Sequence, residues 1–250
     1  MKFSIFFLLL ISTLAGCKNE RLENTKIQGK QIQIDQIYNP DSSITKFISP
    51  YKNELQDNIN TILCYNPRTL SRTEKDLESA LGNMYADICY QIADSIFNRE
   101  TGENIDFALF NYGGIRTVIP KGDITVGNIF ELMPFENKLV VVELTGTQTM
   151  ELFNYLKESK RAHPISNLKL ELKEESFKNI IIKDKSFEPT KNYYILTHDY
   201  LQHGGDNMSF FIAPVSLFST QYKVRDALID HMEKIDTIHA QTDGRFVKIN

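Results

Sequence analysis

The sequence has no excess of basic residues: 28 Lys and Arg stand against 32 Asp and Glu, a net charge of −4 with a pI near 5.8. Without a basic footprint to neutralise phosphates along a strand, the composition gives no support to a DNA or RNA partner. Cysteine is scarce as well. Of three, one is Cys17 near the N-terminus, which leaves Cys64 and Cys89, a pair that would join only in an oxidising compartment. Cys89 sits among Leu81, Met84, Ile88, Ile92 and Ile96. Their spacing of three or four marks one helix face, so a buried free thiol is expected there. The histidines are few and scattered: His163, His198, His203, His231 and His239. No two have an established ligand spacing with carboxylates beside them, and His198 and His203 read as hydrogen-bonded scaffold rather than metal ligands. There is no internal repeat and no low-complexity tract.

What is present begins with a legible N-terminus. Lys2 precedes an apolar stretch from Phe3 to Leu14 and then Leu14-Ala15-Gly16-Cys17. This is the charged start, hydrophobic middle and small-residue cleavage site of a secretory signal, and it falls short of the ~20 residues that span a bilayer. Cys17 after Leu-Ala-Gly resembles the lipobox of bacterial lipoproteins. Residues 1–16 are thus expected to be a lipoprotein signal peptide, with Cys17 lipidated and the chain held to the membrane in the cell envelope, at the outer membrane or periplasmic face. Residues 17–40 are polar and without periodicity, as suits a tether, and 41–250 suit one domain of ordinary size.

Within that domain, Ile44, Phe47, Ile48, Tyr51, Leu55 and Ile59 form the apolar stripe of a first helix, which Pro50 should bend or split. A second helix is predicted over 77–98, another over 147–157 opened by Thr147, and a last over 221–234. Strands are predicted at 105–110, 139–144, 168–172, 179–183 and 193–198, where β-branched and aromatic residues dominate. Helices interleaved with short strands give an α+β class with a mixed sheet and packed helices.

The most informative stretch is Asn111-Tyr112-Gly113-Gly114-Ile115-Arg116, which ends an apolar run and is echoed by Gly204-Gly205-Asp206. Glycine pairs let the main chain turn with φ > 0 and approach a polar ligand closely. With the Gly122-Asp123-Ile124-Thr125 segment, Pro134-Phe135, Leu144-Thr145-Gly146 and the aromatic-x-x-x-Gly-Gly-Asp loop from Tyr200, these motifs resemble the C-terminal domain of the 5'-nucleotidase and UDP-sugar hydrolase family, in its order, over residues 43–248. The resemblance implies that Phe135 and Tyr200 sandwich a nucleobase, Tyr200 replacing the usual Phe and adding a hydroxyl. It also implies that Asp206 accepts from ribose hydroxyls, that Asn111 contacts the nucleoside, and that Arg116 reaches a phosphate, with Gly113, Gly114, Gly204 and Gly205 shaping the loops. A further phosphate-side arginine of the family falls here near Lys75, with Arg72 as a substitute. Asn83 is expected to brace its helix rather than touch ligand.

Hydrolysis in that family needs two metals, held by Asp-x-His, Gly-Asp-x-x-Asp, Gly-Asn-His and Gly-His-x-His motifs of a metallophosphoesterase domain, and none of these occurs in this sequence. The chain resembles the substrate-binding half. No catalytic residue, metal ligand or cofactor is expected in it; divalent metals belong to a partner metallophosphoesterase on a separate chain, with which this one would serve nucleotide catabolism. The alternative is a non-catalytic lipoprotein that scavenges nucleosides or nucleotides.

Overall fold

The computed structural model describes residues 26–35 and 37–249, so the expectations for the signal segment and Cys17 lie outside the described residues. The chain divides after Ile48, and the unit Ser49–Asn250 holds every strand among the described residues. Ahead of Asp41 the described residues hold no helix or strand. Helix α1 (Ser42–Ile59) runs unsplit through Pro50 and contributes no buried residue, so its apolar stripe is not part of the core.

The centre is a five-stranded mixed sheet in the order β10 (Ser216–Lys223), β4 (Lys138–Leu144), β9 (Tyr193–His198), β2 (Phe107–Leu109), β5 (Ile165–Ser166). Only the β2 and β9 pairing is parallel. Alternation along the strands gives the sheet two apolar faces. Ala108, Leu139, Val141 and Leu196 point into one core, beneath α2 (Ala80–Thr101) and α6 (Val224–Met232). Phe107, Leu109, Val142, Leu144 and Ile195 point into a second, beneath α4 (Gly146–Ser159). That second core also takes in β6 (Leu168–Lys173) and β7 (Ser176–Ile182), which with β8 (Lys185–Ser186) and the parallel edge strand β11 (Phe246–Ile249) form a four-stranded sheet. A two-stranded pair, β1 (Ile62–Asn66) with β3 (Gly122–Thr125), completes the strands.

Helix α2 begins where Ser79 accepts from the Gly82 amide and ends on Gly102 in the left-handed conformation. It buries Leu81, Ile88 and Cys89 as the spacing predicts. Cys64 and Cys89 are free and buried, and burial pushes both thiols up. Asn83 donates to Glu78 and to the Gln241 carbonyl, the bracing role expected of it.

Two boundaries differ from expectation. Thr145, not Thr147, opens α4 through a capping box with Gln148. The start of the expected 221–234 helix is instead the end of strand β10, and α6 begins at Val224. Among the described residues no helix is long and apolar enough to cross a membrane.

Candidate functional site

The two glycine loops meet. The first leaves β2 through Phe110 and Asn111 into a 3-10 turn at Tyr112–Gly114; the second leaves β9 through the short helix α5 (Asp199–Gln202) into the turn Gly205–Asn207. Because β2 and β9 are adjacent parallel strands, both loops leave the same sheet end, the place where open sheets bind ligands. Between them lies a cavity of about 300 Å³. Asn111, Gly113, Gly114 and Arg116 line it from the first loop, Tyr200 and Asp206 from the second, and Phe135 and Asn137 from the turn before β4. Gly204 and Gly205 do not line it.

Phe135 and Tyr200 are 40% and 46% exposed, unusual for large rings beside a core this well filled. Phe135 is held from behind. Arg225 of α6, itself buried, donates to the carbonyls of Met133 and Phe135 and pairs with Glu136, which also pairs with Lys223. The two cations hold the Glu136 carboxyl at about 2. Arg225 also stacks 4.1 Å over the Phe130 ring.

Asp206 is the hub of the second loop. Its Oδ2 accepts from Asn111 Nδ2 at 2.6 Å and its Oδ1 from the Tyr200 hydroxyl at 3.0 Å. That hydrogen bond to the carboxylate pushes the Tyr200 hydroxyl above its ordinary value, which keeps it a donor. Asn111 is aimed by His198, whose Nε2 lies 3.2 Å from Asn111 Oδ1 while its Nδ1 accepts from the Leu201 amide. Those two contacts assign the Nε2-protonated tautomer. Fully buried, His198 has its pKa pushed down to about 4 by desolvation. Both ends of the Asn111 amide therefore have protein partners, and Asn111 serves as the bridge between the loops.

Arg116 Nη1 donates to the Gly113 carbonyl at 3.2 Å, with its guanidinium 5.9 Å from the Phe135 ring centroid, so it lies over the first loop at the cavity edge. Arg72 does not line this cavity. It stacks 4.3 Å from the Tyr112 ring and donates to the carbonyls of Tyr112 and Ile115, bracing the loop, while Lys75 bonds Thr242. The structure thus gives the cavity one arginine, not two.

The reason for the glycines also changes. Of the four, only Gly204 has positive φ, at 87°. Two of the others are set by close approach: a Cβ on Gly114 would sit 2.7 Å from Asn111 Oδ1, and one on Gly205 would sit 2.5 Å from Cζ of Tyr200. Gly113 would meet Asn111 and Asp206 at 3.5 Å, ordinary contact. Among the described residues no group of three or more His, Cys, Asp or Glu side chains could hold a metal ion.

A family model described as the 5'-nucleotidase C-terminal domain matches residues 58–213. The chain belongs to that family. This 5'-nucleotidase C-terminal domain is 31% identical over 196 residues to a cell wall protein, Lmo0130, of Listeria monocytogenes, covering 69% of this chain and 24% of that protein. It is 30% identical over 105 residues to the protein UshA of Escherichia coli, covering 40% and 19%. Its fold matches a 5'-nucleotidase precursor of Thermus thermophilus with a TM-score of 0.69 at 22% identity, over 84% of this chain and 44% of that one. The NAD nucleotidase of Haemophilus influenzae gives 0.63 at 16% identity, over 84% and 42%. The domain spans less than half the length of each of these proteins.

Sequence reasoning missed Asn137, two residues beyond Phe135 in the turn before β4. It also missed Arg225, which lies 90 residues from the turn it braces. Only the first had a local signal.

Proposed function

We propose that this domain binds a nucleoside or nucleotide as the recognition half of a 5'-nucleotidase-type phosphohydrolase. A metallophosphoesterase on another chain supplies the metals and the nucleophilic water. The observation that carries this reading is the meeting, around one 300 Å³ cavity, of two exposed rings, a carboxylate and a guanidinium, drawn from loops as far apart as Asn111 and Asp206, 95 residues apart in sequence. The rings take the two faces of a base, the carboxylate the sugar hydroxyls, and the guanidinium a phosphate in a bidentate fork. Supporting an envelope location is the likeness to a protein named for the cell wall; anchoring through Cys17 is part of the same proposal.

Phosphate release from AMP with manganese, measured on this protein, on a candidate metallophosphoesterase and on the mixture, tests the division of labour. Turnover is expected only in the mixture, and turnover by this chain alone refutes it. For binding, Phe135→Ala or Tyr200→Ala is expected to weaken adenosine by ~1 to 3 kcal/mol by calorimetry. Arg116→Ala should weaken AMP by ~1.5 to 3 kcal/mol and spare adenosine. Equal losses for both ligands would make Arg116 a structural residue.

A further inference from the structure

Asp206 has an unusual backbone. Its φ is 52° and ψ 30°, and the next residue, Asn207, also has positive φ at 61°. Two successive non-glycine residues in the left-handed region are strained, and such strain persists only where the surroundings over-determine it. Here they do. Besides the two contacts to its carboxylate, the Asp206 amide donates to the Tyr200 hydroxyl at 3.3 Å and its carbonyl accepts from the Tyr155 hydroxyl at 3.0 Å. Every polar group of the residue is held, two of them by tyrosine hydroxyls through the backbone.

Tyr155 is placed differently from Tyr200. It comes from α4, whose Leu152, Phe153 and Leu156 anchor the helix in the core, and its ring packs edge-on against His163 and Phe210 at 5.6 and 5.7 Å. It does not line the cavity between Phe135 and Tyr200. It lines a neighbouring one of about 450 Å³ that shares only Gly113 and Asp206 with the first. A ligand held between the rings meets Asp206 without touching Tyr155.

We propose that Tyr155 is a positioning residue for Asp206, and that its hydroxyl sets how strongly the cavity prefers a sugar carrying a vicinal diol over one that lacks it. The inference rests on the reading of Asp206 as the acceptor of sugar hydroxyls. A hydrogen bond to a carboxylate is sensitive to the direction of the acceptor, so an Asp206 free to leave the left-handed region loses the diol first. Stacking of the base, which depends on Phe135 and the Tyr200 ring, is untouched.

Calorimetry of adenosine and 2',3'-dideoxyadenosine on the parent and on Tyr155→Phe tests this, with thermal melts alongside. The parent should favour adenosine by about tenfold or more, as one or two hydrogen bonds to a carboxylate imply. Tyr155→Phe keeps the ring packing; it should bind dideoxyadenosine like the parent while most of the preference for adenosine disappears. In an Asp206→Gly background, which tolerates the left-handed conformation but has no carboxylate, Tyr155→Phe should change nothing further. An unchanged preference in Tyr155→Phe, or parallel loss of both ligands, overturns the role of Tyr155 while leaving the binding function standing. A parent that binds both ligands with no preference overturns the inference together with the reading of Asp206, and a parent that binds neither overturns the proposed function too.

Discussion

Acidification from pH 7 to pH 4 is expected to remove several kcal/mol of folding stability through two buried histidines. His163 and His198 both have pKa values pushed down to about 4, and in each the first cause is burial. Groups that favour the imidazolium are present: the Phe110 carbonyl 3.2 Å from His163 Nδ1, the Asp206 carboxylate near both rings, and Asp199 beside His198. Desolvation outweighs them. Arg161 near His163 adds to the depression. Each Nδ1 also accepts a main-chain N–H, from Tyr112 at 3.2 Å and from Leu201 at 3.4 Å, and a proton there would set donor against donor.

The sign follows from which state takes the proton first. An unfolded histidine protonates near 6.5, so between that value and about 4 the unfolded chain binds more protons. Stability is therefore full above about pH 6.5 and drains as pH falls towards 4, on the order of 3 kcal/mol for each residue. Melting temperature against pH should fall across that window, and histidine ring NMR should show neither residue titrating above pH 5. A midpoint near 6.5 for either ring would refute this. Since the folded His198 stays neutral until its own pKa and aims Asn111 at Asp206, ligand affinity is expected to hold through most of that window and to fall only as pH approaches 4.

How much of this was legible in the sequence depended on whether the signal was local. The apolar face of α2 was, because Leu81, Ile88 and Cys89 recur on one side of 3.6-residue turns. The β4 and β9 strands were, because Val140 to Val142 and Tyr193 to Thr197 are β-branched and aromatic runs buried on both faces. Strand β10 was not: Ser216–Lys223 buries none of its residues fully, lies at a sheet edge and is broken by Gln221 at φ 60°, so its end was read as a helix start. Of the cavity, seven of its eight lining residues came from motif positions. The contacts that orient them did not. Tyr155 reaches Asp206 across 51 residues, His198 reaches Asn111 across 87 and Arg225 reaches Phe135 across 90, and no periodicity encodes such pairs.

One substitution at two glycines is expected to separate fold from function. A Cβ on Gly146, the first residue of α4, would fall 2.5 Å from the Pro189 carbonyl carbon and 3.0 Å from the Lys191 carbonyl oxygen. That segment is main chain, held by the Lys191 amide on the Glu188 carbonyl and by Tyr193, whose hydroxyl bonds the amide and the carbonyl of Glu188. It has nowhere to go, so Gly146→Ala should cost ~1 to 3 kcal/mol or more, as overpacking in a close-packed interior does. At Gly205 the obstacle is a side chain, the Tyr200 ring, with Cζ at 2.5 Å and Cδ1 at 2.6 Å from the added methyl. That ring is half exposed and can rotate towards water, so Gly205→Ala should melt within a few degrees of the parent. Moving the ring, however, removes one plate from the cavity and takes the Tyr200 hydroxyl away from both the carboxylate and the amide of Asp206. Adenosine affinity should fall by ~1 to 3 kcal/mol for the stacking contact alone. Melts and calorimetry on the two variants decide it: Gly205→Ala melting as low as Gly146→Ala, or binding adenosine like the parent, would show that Gly205 is spacing and not the seat of the Tyr200 ring.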